Sequence, residues 1–209
     1  MGGIDKLFAP LGGKPALARV LDAFTSCDKV GQIVVVVSEK NLERCRKLIA
    51  KEGWSKPIEV CAGGKRRQDS VAAGLKKLND CRWVVIHDGA RPLVTKELIE
   101  GGLKAAQETG AAVAAVPVTD TIKIAGEDRI VHQTPPRQNL WAVQTPQVFR
   151  FDIIARAYER AEDEVTDDAS LVERSGHKVK LYTGSYDNIK ITSPDDLALA
   201  EVLSKKRER

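Results

Sequence analysis

Apolar runs and segments with helical periodicity alternate along most of the chain. Residues 33–37, 83–87 and 111–118 are continuous apolar runs, typical of strands buried on both faces. Between and around these runs, apolar residues recur at helical spacing, which predicts helices at residues 16–24, 39–51, 70–78 and 95–106. Shorter strands are predicted at residues 58–61 and 178–182. This alternation predicts a three-layer α/β fold: a mostly parallel sheet with helices on both faces.

The pattern changes between Pro117 and Gln147. Residues 121–124 and 129–132 predict two strands around the turn at 125–128, a hairpin that projects from the body as an arm. We expect one domain over residues 1–209, including this β-arm at about residues 119–143. The last helix has a clear start, with Ser193 as N-cap and Pro194 in its first position.

The start of the chain departs from what a doubly wound sheet requires. A turn at residues 11–15 and a helix come before any predicted strand, whereas such sheets open with a strand and a Gly-rich phosphate loop. Residues 1–3 (Met-Gly-Gly) look like the end of such a loop. We therefore expect the first strand to be missing from the sheet of this chain.

Composition narrows the function classes. The 209 residues are 43% hydrophobic and 30% charged, which excludes disordered and fibrous proteins. The net charge of +4 is small and spread along the chain, so we expect no nucleic-acid partner, although it suits anionic small molecules. No apolar run reaches the ~18 residues of a membrane span. The 4 cysteines lack metal-binding spacing, so we interpret them as reduced thiols of a cytoplasmic protein.

Polar clusters follow several predicted strands, at the sheet edge where ligands bind in open parallel sheets. Residues 87–92 (His-Asp-Gly-Ala-Arg-Pro) come directly after a buried strand. Asp88 is a natural Mg²⁺ ligand there, and Gly89 lets a ligand approach the backbone. The alternative is a solvated turn in which Asp88 caps the next helix.

Other clusters admit two interpretations each. Residues 62–70, with paired glycines before a helix, form either an anion site or a flexible turn. Residues 118–123 hold a phosphate or simply begin the hairpin, and Arg137 either orients a phosphate or lies on the surface of the arm. Residues 166–170 are explained by Thr166 as an N-cap with two acids after it, and Lys190 lies in an apolar–polar alternation that would project it into a cleft.

The set of candidate groups favours nucleotidyl transfer. Lys, Arg, Thr, glycine backbone and one or two Asp dominate it, and no Ser/His/Asp order or HExxH motif is visible. In such reactions positioning and charge stabilisation do most of the work. An acceptor that is a phosphate monoester is already anionic, so no general base is required.

Taken in order, these motifs resemble the 2-C-methyl-D-erythritol 4-phosphate cytidylyltransferase family. The similar stretches cover nearly the whole chain: residues 63–75, 87–92, 117–123, 137–147, 166–170 and 188–197. The resemblance implies a nucleotidyltransferase fold whose β-arm helps form a homodimer. It implies that CTP and methylerythritol phosphate react with Mg²⁺ to give the cytidine diphosphate adduct and pyrophosphate.

The resemblance also implies roles for individual residues. Lys6 would contact the CTP phosphates, Lys190 would stabilise the α-phosphate, and Asp88 would serve the metal and the nucleotide. Gly64 and Ser70 would lie against the cytosine, and Gly89 would lie beside Asp88. The acceptor phosphate would be held by Arg91, Thr121, Arg137 and Thr145, with Arg137 crossing from the partner subunit.

The chain departs from the family at its start. Of the family's opening strand and glycine-rich loop only Met1-Gly2 is visible, and Asp5-Lys6-Leu7 stands where Pro-Lys-Gln is usual. Two alternatives therefore stay open at this point. One is a cytidylyltransferase for another polyol phosphate, such as ribitol 5-phosphate; the other is a nucleotide-binding module without catalysis.

Overall fold

The computed structural model describes residues 5–161 and 165–207. The expectation that residues 1–3 end a phosphate loop lies outside this part of the chain. The strands are β1 (Pro10–Leu11), β2 (Lys14–Pro15), β3 (Ile33–Val37), β4 (Ile58–Ala62), β5 (Trp83–Ile86), β6 (Ala111–Pro117), β7 (Ile124–Ala125), β8 (Val131–Gln133), β9 (Trp141–Arg150) and β10 (Lys180–Thr183). The α-helices are α1 (Ala16–Thr25), α2 (Leu42–Glu52), α3 (Arg67–Leu75), α4 (Lys96–Thr109), α5 (Phe151–Glu159), α6 (Asp168–Arg174) and α7 (Pro194–Arg207).

The main sheet has the strand order β10-β6-β9-β5. β10 is parallel to β6, and β9 is antiparallel to both β6 and β5. Strands β5, β6 and β10 therefore run in one direction and β9 runs against them. The expected α/β fold is confirmed, and β9 is the strand that departs from the parallel arrangement.

Sequence analysis did not predict β9, although it is the longest strand, with 10 residues. Its Gln144-Thr145-Pro146-Gln147 stretch is polar and contains a proline, which normally argues against a central strand. The pairing with β6 is interrupted here, because Val113 pairs with Gln147 while Ala115 pairs with Val143. The bulge takes up Pro146, which follows a cis peptide bond, and the ladder resumes on both sides.

Successive residues of β6 face opposite layers, as the period of a strand requires. Ala111 and Val113 pack with Phe149 against α5 and α6, whereas Ala112 packs with Val148 against α1 and α4. The small alanines of β6 let helices approach closely on both faces, and all of its residues except Pro117 are buried. These two clusters give the three-layer arrangement that the sequence predicted.

Strands β3 and β4 form a separate parallel pair packed on α1 and α2. A cavity of about 960 Å³ lies between this pair and the main sheet, lined by β3 on one side and β5 on the other. Most of its lining is apolar, including Val34, Val36 and Val85. Strands β3 and β5 are not paired with each other, so the β3–β4 pair stays separate from the main sheet; the expectation of a missing first strand stays a prediction.

The arm begins after β6 and carries the two-stranded ladder of β7 and β8. These strands are shorter than predicted and displaced by one to three residues toward the carboxyl end of the chain. The ladder is exposed, and several apolar side chains on and beside it face outward: Ile122, Ile124, Ile130, Val131, Trp141 and Val143. These side chains lack cover in the structure, and the projection of the hairpin as an arm stays a prediction.

The hydrogen bonds at three helix starts explain where the prediction differs or agrees. α3 begins at Arg67 instead of residue 70, because the Asp69 carboxylate accepts the backbone N–H of Arg66 at 3.1 Å. α6 is capped by Asp167 and not by Thr166, since the Asp167 carboxylate accepts the N–H of Ser170 at 3.1 Å. For α7, Ser193 caps the helix as predicted, and its hydroxyl accepts the N–H of Asp196 at 3.2 Å. None of the helices within the described ranges is long and apolar enough to cross a bilayer.

Candidate active site

The loop after β5 is held by a chain of hydrogen bonds through His87. Its Nε2 lies 3.1 Å from the Arg91 carbonyl oxygen, which can only accept, so Nε2 carries the proton. Nδ1 therefore accepts from the Thr145 hydroxyl at 3.0 Å, and that hydroxyl accepts the Asp88 N–H at 3.0 Å. Burial lowers the pKa of His87 to about 4, so the ring is neutral at physiological pH. This series of hydrogen bonds fixes the backbone that carries Asp88.

Asp88 lies at the centre of a cluster of cationic side chains. Its Oδ2 is 3.0 Å from Lys190 Nζ and 3.6 Å from Arg91 Nε, and its Oδ1 is 3.6 Å from Arg67 Nε. The carboxylate side chain is only 16% exposed. Burial by itself raises the pKa of Asp88, but Lys190, Arg67 and Arg91 together hold it below its usual value. The site is therefore one carboxylate within an excess of positive charge.

Lys190 reaches Asp88 because its segment is tied to the same loop. The N–H of Ile191 donates to the Ala90 carbonyl at 2.8 Å, and Ile191 is fully buried beneath it. Asn188, also fully buried, donates its side-chain amide to the Thr145 carbonyl at 2.8 Å. The Asn188 carbonyl in turn accepts from Arg91 Nη1 at 2.7 Å. These contacts bring the Lys190 ammonium to Asp88, and its projection into a cleft, expected from its alternating neighbours, stays a prediction.

Arg67 and Asp168 complete the cluster, and sequence reasoning did not select either as a site residue. Arg67 Nη2 donates to Asp168 Oδ2 at 2.6 Å, which brings the start of α6 to the start of α3. The fully buried Asp168 also accepts the Tyr158 hydroxyl at 2.5 Å. The available signal was the position of both residues inside candidate motifs. Residues 62–70, with Arg67, were interpreted as an anion site or a flexible turn, and residues 166–170, with Asp168, as a helix start.

The paired glycines are required by the close approach of α3. A Cβ on Gly63 would meet Ser70 Oγ at 2.5 Å, and one on Gly64 would meet Asp69 Cβ at 2.3 Å. The glycine backbone therefore lies directly against the first turn of the helix. Ser70 borders the same cavity as Asp88 and Gly89, so these three predicted residues are brought together.

Lys6 lies in a short 3₁₀ helix, Lys6–Phe8, next to the loop after β5. A Cβ on Gly89 would meet Leu7 Cδ2 at 2.8 Å, so this segment packs directly on that glycine. Because Lys6 precedes Leu7, its backbone lies beside the Asp88 loop. Lys6 itself is half-buried. A larger residue at position 89 would have to displace the Leu7 side chain.

The residues predicted to hold the acceptor are divided between two places. Arg91 belongs to the Asp88 cluster, whereas Thr121 and Arg137 are exposed on the arm, where Arg137 Nη1 donates to the Thr119 carbonyl at 2.7 Å. Within one subunit the structure shows no contact between the described arm residues and Asp88. Thr145 is only 4% exposed, and its hydroxyl is engaged by Asp88 and His87.

This arrangement can bind and stabilise a polyanion at the carboxyl end of β5. Lys190, Arg67 and Arg91 supply charge, the N-terminus of α3 supplies backbone donors, and Asp88 is a buried carboxylate able to hold a cation. Within the described residues, no three Asp, Glu, His or Cys side chains cluster as a metal cage.

Comparison with known proteins gives one consistent result. The sequence profile of the 2-C-methyl-D-erythritol 4-phosphate cytidylyltransferase family matches residues 1–206. The protein of that name from Dehalococcoides mccartyi strain 195 is 52% identical over 206 residues, which cover 99% of this chain and 91% of the relative. The protein of that name from Caldanaerobacter subterraneus is 46% identical over 208 residues, covering 97% and 92%.

Solved structures agree with the sequence relatives. The 4-diphosphocytidyl-2C-methyl-D-erythritol synthase of Anaerococcus prevotii superposes with a TM-score of 0.89 at 31% identity, over 95% of this chain and 93% of that chain. The 2-C-methyl-D-erythritol 4-phosphate cytidylyltransferase of Thermus thermophilus gives 0.78 at 34% identity, over 96% and 93%.

Proposed function

This chain belongs to the 2-C-methyl-D-erythritol 4-phosphate cytidylyltransferase family, and we propose that the cluster around Asp88 is its active site. The protein is a nucleotidyltransferase that joins CTP and 2-C-methyl-D-erythritol 4-phosphate. The products are 4-diphosphocytidyl-2-C-methyl-D-erythritol and pyrophosphate, in isoprenoid precursor synthesis. The observation that carries the proposal is the 3.0 Å pair of Lys190 and Asp88 at the carboxyl end of β5.

In the proposed mechanism, a phosphate oxygen of the acceptor attacks the α-phosphorus of CTP in line. A bond forms between that oxygen and the α-phosphorus while the bond to the β-phosphate oxygen breaks, and pyrophosphate leaves with the electron pair. Negative charge grows on the α-phosphate oxygens during the step. The Lys190 ammonium, held 3.0 Å from Asp88 Oδ2, stabilises that charge as a preorganised cation.

Asp88 is the proposed Mg²⁺ ligand. The donor set fits that ion, because Mg²⁺ is commonly bound through one or two carboxylates, with substrate phosphates and water as the other ligands. The low pKa of Asp88 keeps it in the anionic form that such binding needs. When bound, the ion would neutralise phosphate charge and act as a Lewis acid.

The remaining nucleotide contacts follow from the surroundings of the same loop. Gly64 and Ser70 would lie against the cytosine, supported by the close approach of the glycine backbone to α3. Gly89 would lie beside Asp88 in the same loop, where Leu7 packs on it. Lys6 would contact the triphosphate, supported by the packing of its neighbour Leu7 on Gly89.

We assign the acceptor phosphate to Arg91, Thr121 and Arg137, with the arm residues supplied by a second subunit. The support is the exposed apolar surface of the arm, where Ile130 is 63% exposed and Val131 52% exposed. Such a surface is typical of an interface between subunits. For Thr145, which the family resemblance also assigns to the acceptor, the engaged hydroxyl favours positioning of the Asp88 loop. A cytoplasmic location stays a prediction, supported by 4 cysteines that are all unpaired.

The test is pyrophosphate release from CTP with either 2-C-methyl-D-erythritol 4-phosphate or ribitol 5-phosphate. We expect release with the first acceptor, and Lys190→Ala should lower kcat by about 10²-fold, the effect of one lost charge-stabilising donor. Lys180→Ala is the matched control, because Lys180 forms an exposed pair with Glu108 at 3.0 Å on β10. A loss below about threefold for Lys190→Ala would contradict its role. Release only with ribitol 5-phosphate would favour the other polyol substrate, and CTP binding without release would favour the non-catalytic module.

A further inference from the structure

A buried carboxylate lies behind the proposed active site without facing the cavity. Asp168, in the first turn of α6, is 0% exposed and does not line that cavity. Its Oδ2 accepts from Arg67 Nη2 at 2.6 Å, and its Oδ1 accepts from the Tyr158 hydroxyl at 2.5 Å. Each oxygen of the carboxylate therefore has a donor of its own, which fixes its orientation.

Arg67 connects this carboxylate to Asp88. Its Nη2 is held by Asp168, while its Nε lies 3.6 Å from Asp88 Oδ1. The other oxygen of Asp88, Oδ2, faces Lys190 and Arg91. Arg67 is therefore the cation that faces Oδ1. Without Arg67, the cations Lys190 and Arg91 would attract only Oδ2 of Asp88, and the carboxylate could rotate toward Lys190.

The protonation states suit this arrangement. Burial by itself lowers the pKa of Arg67, but Asp168 and Asp88 raise it above its usual value, so the guanidinium stays charged. Burial and the neighbouring Asp168 both raise the pKa of Tyr158, so its hydroxyl stays a donor. Tyr158 therefore remains a neutral donor to Asp168, and Arg67 remains a charged donor to the same carboxylate.

We propose that Asp168 is a positioning residue for the transfer reaction, which acts through Arg67 to orient the carboxylate of Asp88. Tyr158 supports it by fixing the second oxygen of Asp168. The inference rests on the proposed function of Asp88. Partners that orient a metal-binding or substrate-binding group commonly contribute 10- to 100-fold to affinity or activity.

The experiment is a double-mutant cycle on kcat/KM for CTP, measured by pyrophosphate release with the natural acceptor. The variants are Asp168→Asn, Arg67→Ala and the double variant, with rates expressed per folded protein from far-UV circular dichroism. The matched control is Asp152→Asn, because Asp152 binds Arg150 through two contacts of 2.5 and 2.8 Å at the exposed start of α5. That pair has the same chemistry but lies outside the Asp88 cluster.

We expect Asp168→Asn to lower kcat/KM by about 10-fold or more, with the control within about twofold of wild type. Adding Asp168→Asn to Arg67→Ala should then change the rate by less than about twofold, because the residue through which Asp168 acts is already absent. Equal losses in both backgrounds would show that Asp168 does not act through Arg67 and would overturn the proposal.

Arg67→Ala leaves a buried carboxylate without its cation and can unfold the chain. A second cycle therefore uses Tyr158→Phe and Asp168→Asn, which are close in shape to the native residues. Tyr158→Phe should lower kcat/KM in the wild-type background and have no further effect beside Asp168→Asn. Losses that multiply would contradict the proposal.

Asp88→Asn separates the inference from the function on which it rests. If Asp88→Asn retains activity within about threefold, the proposed active site is wrong. If Asp88→Asn is inactive while Asp168→Asn behaves like the Asp152→Asn control, only the role of Asp168 is wrong.

Discussion

His87 makes folding stability depend on pH in a window that can be calculated from the structure. The ring packs 5.5 Å from the Phe24 ring, and both of its nitrogens are used in hydrogen bonds within the neutral form. Burial is the main cause that lowers its pKa from 6.5 to about 4, partly offset by the Arg91 carbonyl and by Asp88. The unfolded chain therefore takes up the proton first as the pH falls below 6.5, and stability decreases through that window until pH 4.

The magnitude follows from the linkage between proton binding and folding. Between pH 7.5 and 5.5 the histidine of the unfolded chain gains most of a proton and that of the folded chain almost none, which lowers the free energy of unfolding by about 1.3 kcal/mol. The result depends little on the folded pKa as long as it is below about 5. Carboxylates with ordinary pKa values change little in this range, so the histidine dominates the difference.

The perturbation is His87→Gln, whose side-chain amide can still donate to the Arg91 carbonyl but does not titrate. Urea denaturation followed by far-UV circular dichroism at pH 7.5 and 5.5 gives the free energy of unfolding for each protein. We expect the difference between the two pH values to be smaller in the variant by about 1.3 kcal/mol, with unchanged denaturant slopes. His132→Gln, on the exposed arm, is the control for removal of a histidine as such. An equal pH dependence in wild type and His87→Gln would refute the assignment of a buried, neutral ring.

Three further predictions concern the acceptor, the arm and the cavity. Arg137→Ala should mainly raise KM for 2-C-methyl-D-erythritol 4-phosphate in steady-state kinetics. A change confined to KM for CTP would show that the assignment of Arg137 to the acceptor is wrong. Ile130→Asp puts a charge into the exposed apolar surface of the arm, the proposed interface between two subunits. It should lower the molar mass measured by light scattering toward that of one subunit. A mass equal to that of the wild type would exclude this surface as the interface. Val113→Ala should cost about 2 kcal/mol in urea denaturation, because Val113 is 1% exposed in a packed layer. Val36→Ala should cost less than about 1 kcal/mol, because Val36 borders the cavity, and equal costs would show that the cavity is closed in solution.

The elements that could be predicted from the sequence are those with strong periodicity. Strand β3 was predicted at its observed bounds, and β5 and β6 each to within one residue at the carboxyl end. In these strands every second side chain meets a helix on one face and the next meets a helix on the other, which leaves a continuous apolar run in the sequence. The hairpin of the arm was predicted in kind but displaced in position, because it has no buried face to fix its register.

Strand β9 could not be predicted, because its local sequence argues against it. Its polar residues are satisfied only by tertiary partners: Gln147 binds Asp167 and the start of α6, and Asn188 binds the Thr145 carbonyl. Its proline is accommodated in a bulge that exists only once β6 lies beside it. No window of the sequence contains this information.

For the proposed active site, the sequence by itself predicted which side chains are involved, and only the tertiary structure decided how they lie relative to one another. Asp88, Lys190, Arg91 and Ser70 were identified from their positions after predicted strands and within motifs, because a sheet gathers the carboxyl ends of its strands at one edge. The contact of Asp88 with Lys190, 102 positions along the chain, requires the buried anchors Asn188 and Ile191 on either side of the lysine. The use of Arg67 by two carboxylates depends on the packing of α6 against α3. Distances of a few ångströms between residues far apart in sequence are set by the packing of the whole core, and periodicity carries no record of them.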